Sequence, residues 1–209
     1  MCSSDLLQRE PRGQYLLGML FLEGRGANKD AEQALRWLQV AADGGERDAQ
    51  YQLSLLYGSG TGVQKDDQRA LKWLHAAAQQ NQVKAQYTLA AVYAGGLYGV
   101  PRDDKQAIVW LRKSARLVYA EAEYALGLAY AEGRGVKKDA SEAYGWLLNA
   151  AKQGHPAASA YVQRIQAQVL GSSAKGDGTP TPAPNPGAAA GAQTPGAKDG
   201  PAAGATGTQ

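Results

Sequence analysis

"YAEGRGVKKD", residues 130–139, decides the fold. Glycine, arginine, glycine and a pair of lysines suggest, in isolation, a loop that cradles a phosphate. Such a loop is a single feature that follows a strand and ends in Gly-Lys-Ser or Gly-Lys-Thr. This stretch lacks that ending, and it recurs. "FLEGRGANKD" occupies residues 21–30, "YGSGTGVQKD" residues 57–66, and "YAGGLYGVPRD", one residue longer, residues 93–103. A feature repeated four times is a connector. Glycine after a helix supplies the left-handed conformation that closes it. The aspartate then opens the next helix as an N-cap. Asp30 with Gln33, Asp103 with Gln106 and Asp139 with Glu142 have capping-box spacing, whereas Asp66 meets Arg69 and lacks it.

The connectors set a period. Trp37, Trp73, Trp110 and Trp146 are spaced by 36, 37 and 36 residues. Tyr15, Tyr51, Tyr87 and Tyr124 keep the same beat, as do Phe21, Tyr57, Tyr93 and Tyr130. In the fourth repeat Tyr124, Leu126, Gly127 and Tyr130 have the three-and-four spacing of a helix face, and so do Ala143, Trp146, Leu147, Ala150 and Ala151 after the turn. Each repeat is therefore a helix-turn-helix. Small residues mark where the helices approach: Gly18, Ser54, Ala90 and Gly127 on the first, Ala34, Ala70, Ala107 and Ala143 on the second. One hairpin cannot bury such side chains, so neighbouring hairpins must share a core, and the tryptophans are expected inside it.

The fold class is all-α: a right-handed α-solenoid of four helix-turn-helix repeats plus a C-terminal capping helix. The repeats span about residues 11–46, 47–82, 83–119 and 120–156, with the cap at 157–170 and nine helices in all. Residues 1–10 form an N-terminal tether. From residue 171 to 209 no Leu, Ile, Val, Met or aromatic residue occurs, and Gly, Pro and Ala make up 25 of 39 residues, which predicts a disordered tail. The net charge of +3 is interspersed rather than striped, which argues against nucleic acid. No run of 18 apolar residues exists to cross a membrane.

The pattern "AEAEYALGLAYAEGRGVKKDASEAYGWLLNAAKQGHP", residues 120–156, closely resembles the Sel-one-like repeat family, a relative of the tetratricopeptide repeat. The match lies in Leu-Gly-x-x-Tyr, the Gly-x-Gly-Val turn, the following Asp and the Ala-x-x-Trp helix with its Ala-Ala pair. The resemblance implies an α-solenoid that binds other proteins along its concave face. It implies roles as adaptors in signalling, quality control, exopolysaccharide export and bacteria–host contact, or as periplasmic immunity proteins against phospholipase toxins. A cysteine-rich subgroup carries one disulfide per repeat; the single Cys2 here carries none of that over.

The start, "MCSSDLLQRE", is similar to a mature bacterial lipoprotein: a cysteine, small polar residues and a short tether. Cys2 is thus a candidate lipidation site, with a periplasmic, outer-membrane-anchored location; a cytoplasmic chain with an unremarkable cysteine is the alternative. An upstream coding sequence without an apolar segment ending in a lipobox would remove the lipoprotein reading.

No catalytic constellation stands out. Asp66-Asp67 and Asp103-Asp104 fall at helix starts, and His75 and His155 are 80 residues apart without metal-ligand spacing. No catalytic residue, cofactor or metal is assigned. Partner binding is expected at polar first-helix positions, Gln50, Gln52, Gln86, Thr88 and Glu123 together with Gln14. Two irregular loops of the third repeat, Leu97-Tyr98 and Leu117-Val118-Tyr119, read as one contact patch for a partner, or alternatively as residues that pack on each other or on the capping region. On the contact-patch reading Tyr98→Ala plus Tyr119→Ala weakens partner capture with little effect on stability. The expected function is a non-enzymatic protein-interaction module: an adaptor, or an inhibitor or immunity protein that neutralises a partner such as a secreted toxin or lipase. A scaffold of an envelope export or polysaccharide complex is the alternative. No nucleic acid is expected, and membrane contact only through Cys2.

Overall fold

The computed structural model describes residues 10–25 and 28–173, with the backbone alone for 168–173. The tether, Cys2 and the tail beyond residue 173 lie outside the described residues. Among those described there are nine helices and no strand: α1 (Pro11–Glu23), α2 (Ala31–Asp43), α3 (Arg47–Ser59), α4 (Asp67–Gln79), α5 (Val83–Gly95), α6 (Asp104–Arg116), α7 (Ala120–Glu132), α8 (Ala140–Lys152) and α9 (Pro156–Ser173). Each helix packs on its neighbours in the chain, more closely within a hairpin than between hairpins. The fold is an all-α solenoid.

The connectors explain its regularity. Gly24, Gly60, Gly96 and Gly133 adopt φ of 73°, 73°, 65° and 77° and close the first helices. Asp30, Asp66, Asp103 and Asp139 then cap the second helices, each carboxylate accepting at 2.9–3.0 Å from backbone N–H groups two or three residues on. Their own N–H groups do not enter a capping box. They donate back to the carbonyls of Phe21, Tyr57, Tyr93 and Tyr130 at 2.8–3.0 Å. The recurring aromatic and the recurring aspartate thus form one clamp, in which the turn is pinned to the helix it leaves while starting the helix it enters.

The core differs from the expected one. Leu38, Leu74 and Leu147 on the second helices and Leu53, Leu89 and Leu126 on the first are fully buried, surrounded by alanines. Among the tryptophans Trp110 is buried, while Trp37, Trp73 and Trp146 are half-buried. Leucine, one residue after the indole, fills the hairpin. Trp110 lies at the seam with the preceding repeat, where it meets His75 edge-on at 6.1 Å. The amphipathic indole tolerates a wet edge and leucine does not. Small residues sit where leucine approaches: a Cβ on Gly18 would lie 2.8 Å from Leu38 Cγ, and one on Gly127 2.7 Å from Leu147 Cγ.

Helix α9 begins as a fifth first-helix. Ala158 and Val162 are buried like Ala122 and Leu126. At the place of Gly127, however, it carries an exposed Gln163. A second helix packed as α8 packs on α7 would collide with that side chain, so α9 presents a polar face suited to a cap.

Candidate protein-binding surface

The polar positions expected to face a partner divide into two sets. Gln50, Gln86 and Glu123 are buried, at 6%, 0% and 4% exposure, and Gln50 and Gln86 hold repeats together instead. Gln50 Nε2 donates to the Ala42 carbonyl at 3.1 Å, and Gln86 Nε2 to the Ala78 carbonyl at 3.1 Å, each at the end of the preceding second helix. Gln50 Oε1 in turn accepts from Gln80 Nε2 at 2.9 Å. A glutamine amide suits the place because it can donate to the preceding repeat and accept from its own. Glu123 can only accept, which it does from Gln153 Nε2. Burial raises its pKa above the usual carboxylate range, opposed by that hydrogen bond. A raised pKa means stability present below the unfolded value and lost as pH climbs through the folded one. Glu123→Gln is therefore expected to stabilise the chain at pH 7 by about 1 kcal/mol. In thermal melts the gain should shrink toward pH 4, where the carboxyl is protonated; an equal gain at both pH values would refute this account.

Gln52 and Thr88 form the other set. They are half-buried, and each meets a tyrosine of the preceding repeat. Gln52 hydrogen-bonds Tyr15, and Thr88 Oγ1 lies 3.3 Å from Tyr51 Oη. First helices of successive repeats are thereby tied side by side along a tyrosine row.

Both irregular loops contribute to that row, though not as one loop patch. Leu97-Tyr98 precedes α6 and Leu117–Tyr119 follows it, so 13 helical residues, about 20 Å, separate them. Leu97, Leu117 and Val118 are exposed at opposite ends, at 48%, 43% and 65%. The tyrosines instead turn inward. Tyr98 packs over Gly58 of α3 and bridges the two hydrophobic clusters of the solenoid. Tyr119 meets Tyr87 edge-on at 5.5 Å. Burial is the main cause that pushes the Tyr119 hydroxyl up to about 12, with Glu121, Tyr51 and Tyr87 adding to it. Burial, Asp67 and Tyr51 likewise raise Tyr98. Tyr51 thus acts on both, and Tyr51, Tyr87, Tyr98 and Tyr119 gather about the first helices of the second to fourth repeats. Tyr51 and Tyr87 belong to the repeat's own period and read as core filling from sequence. Only their half-exposure marks them as surface.

The remaining titratable candidates have structural roles. Asp66 and Asp103 are caps. His75 lies between Tyr93 and Trp110, and burial lowers its pKa. His155 stacks on Tyr124 at 4.4 Å, and its Nδ1 accepts from the Ala158 N–H at the start of α9.

Known proteins agree with this architecture. The family model for the Sel1 repeat matches residues 11–46, 47–82, 83–119 and 120–155. A Sel1 repeat protein from Oxalobacter formigenes is 35% identical with a TM-score of 0.71; the alignment covers 76% of this chain and 45% of that one. A protective antigen present in uropathogenic Escherichia coli strains, displaying an SLR fold, is 29% identical with a TM-score of 0.74, covering 80% and 37%. The chain therefore spans less than half the length of either protein. Helicobacter pylori cysteine rich protein B, 23% identical with a TM-score of 0.51 over 64% of this chain and 95% of that one, shares the fold. No curated protein matches. Sel1 repeats are protein-interaction modules, generally non-enzymatic scaffolds. Four consecutive matches, one for each hairpin and in register with its connectors, place the chain in the Sel1 repeat family.

Proposed function

We propose that this chain captures another protein through the tyrosine row on its first helices, as an adaptor or as an inhibitor that covers its partner. The observation that carries the reading is the gathering of Tyr51, Tyr87, Tyr98 and Tyr119 with Thr88, a row that Gln52 extends to Tyr15 of the first repeat. Tyrosine supplies a large, rigid contact with a polar tip, and it is enriched where interfaces concentrate their binding energy. The rows are held by ring packing and hydrogen bonds before a partner arrives, which lowers the ordering cost of binding.

Ala91 is exposed on α5, one turn beyond Thr88 and on the same stripe. Arginine there adds bulk and charge to the surface without touching the core. Ala91→Arg is expected to weaken capture of the partner at least about tenfold, the scale of one lost hot spot, with the melting temperature unchanged. Val109→Arg, exposed on a second helix, should bind like wild type. Equal capture by both variants would end the proposal. Titrating a captured enzyme with the chain separates the two roles: an inhibitor abolishes its activity at equimolar ratio, and an adaptor leaves it intact.

A further inference from the structure

The seam between the third and fourth repeats is put together differently from the other three junctions, the one before α9 included. Three local departures meet there, and a fourth lies beside it in the third repeat. The residue between repeats needs a left-handed backbone, which Gly45, Asn81 and Gly154 adopt with φ of 88°, 59° and 85°; at this seam it is Val118, with φ of 60°. A β-branched side chain is strained in that conformation. The first helix that follows is also uncapped. Glu46, Gln82 and His155 accept from backbone N–H groups of α3, α5 and α9 at 3.2, 2.5 and 3.2 Å, whereas Tyr119 caps α7 with no side-chain hydrogen bond. The glutamine rung fails next: Glu123 stands where Gln50 and Gln86 donate to the repeat before. Beside the seam, inside the third repeat, Gln86 Oε1 is buried without a partner. Its counterparts Gln50 and Glu123 accept from Gln80 and Gln153, but the equivalent residue in the third repeat is Leu117, which has no donor and is 43% exposed.

The other end of the same seam is tight. A Cβ on Gly135 would lie 2.6 Å from the Asp104 carbonyl carbon, so the fourth turn rests directly on the backbone at the start of α6. The buried cluster from Leu74 to Ala129 runs unbroken across the seam. One end is therefore clamped by backbone contact, and the other carries strain, a missing cap and a missing glutamine rung.

We propose that this seam is a hinge, opening at residues 117–124 while Gly135 remains seated, so that α7–α9 swing as a body. Tyr87 and Tyr119 lie on its two sides, so the swing resets their spacing. The hinge follows from the fold and does not depend on the partner reading. It also accounts for why the departures cluster: strain and unmet hydrogen bonds persist where a structure must yield.

Native-state hydrogen exchange on the full chain tests it. Amides of residues 117–124 are expected to exchange at least about tenfold faster than their equivalents at 44–51 and 80–87; tenfold is about 1.4 kcal/mol of opening free energy. Leu117→Gln together with Val118→Gly and Glu123→Gln restores the elements of the other seams. That variant should slow exchange at 117–124 by at least about tenfold and leave 44–51 unchanged. Leu117→Gln alone, a change at an exposed position, should give a smaller shift of the same sign. Equal wild-type protection at all three segments, or a variant that slows all segments alike, overturns the hinge.

Discussion

Gly135→Ala is expected to cost about 3–5 kcal/mol and to lower the melting temperature by roughly 10 °C. Two effects add. Gly135 has φ of 67°, a left-handed backbone that charges any L side chain about 1–2 kcal/mol. The new Cβ would also enter the Asp104 carbonyl, 2.6 Å from its carbon. The obstacle is backbone at the first residue of α6, so relief requires the fourth repeat to move off the third. Gly99 provides the control. It holds the same Gly-Val position in the third turn, with φ of 75° and nothing within 4 Å of the added Cβ. Gly99→Ala should therefore cost only the backbone strain, about 1–2 kcal/mol. Thermal denaturation of the two variants measures the clash as their difference. Equal losses would mean that the fourth turn does not bear on α6.

Tyr98→Ala is expected to destabilise by about 2 kcal/mol, a fraction of the cost of emptying a fully buried aromatic site. This reverses the expectation of an expendable contact loop. Tyr98 spans the two hydrophobic clusters, and its ring fits against the bare backbone of Gly58. A Cβ on Gly58 would sit 2.9 Å from Tyr98 Cζ, so Gly58→Ala should push the ring out and cost a similar amount. The two changes share one contact, and the double variant should lose clearly less than their sum. Strict additivity would show that the tyrosine is not seated on α3.

These residues also show how far the chain could be read without coordinates. Hairpins and caps follow from chemistry that acts within a dozen residues. Glycine closes a helix, aspartate opens the next, and apolar residues three and four apart make a face; a period of 36 or 37 then requires stacking. The all-α hairpins and their repetition were legible for that reason. The binding positions were only partly so. Gln50 and Gln52 are two polar residues on one helix, but one is a buried rung and the other lines the surface. Helical periodicity places them on different faces, yet it does not say which face meets the preceding repeat and which meets solvent.

The third turn shows where that limit lies. Gly62, Gly99 and Gly135 each precede a valine in the same motif, and sequence makes them equivalent. In the fold a Cβ on Gly62 would meet Ala31 at 2.7 Å, one on Gly135 would meet Asp104, and one on Gly99 would meet nothing. The added residue in the third connector turns Tyr98 onto α3, and its hydroxyl feels Asp67, the residue equivalent to Ala31 and Asp104. Local chemistry determined that each connector would turn and where its helices begin. Which turn rests on backbone, which on a tyrosine, and which seam is left strained depends on contacts between residues 30 or more apart, and only the stacked hairpins decide those.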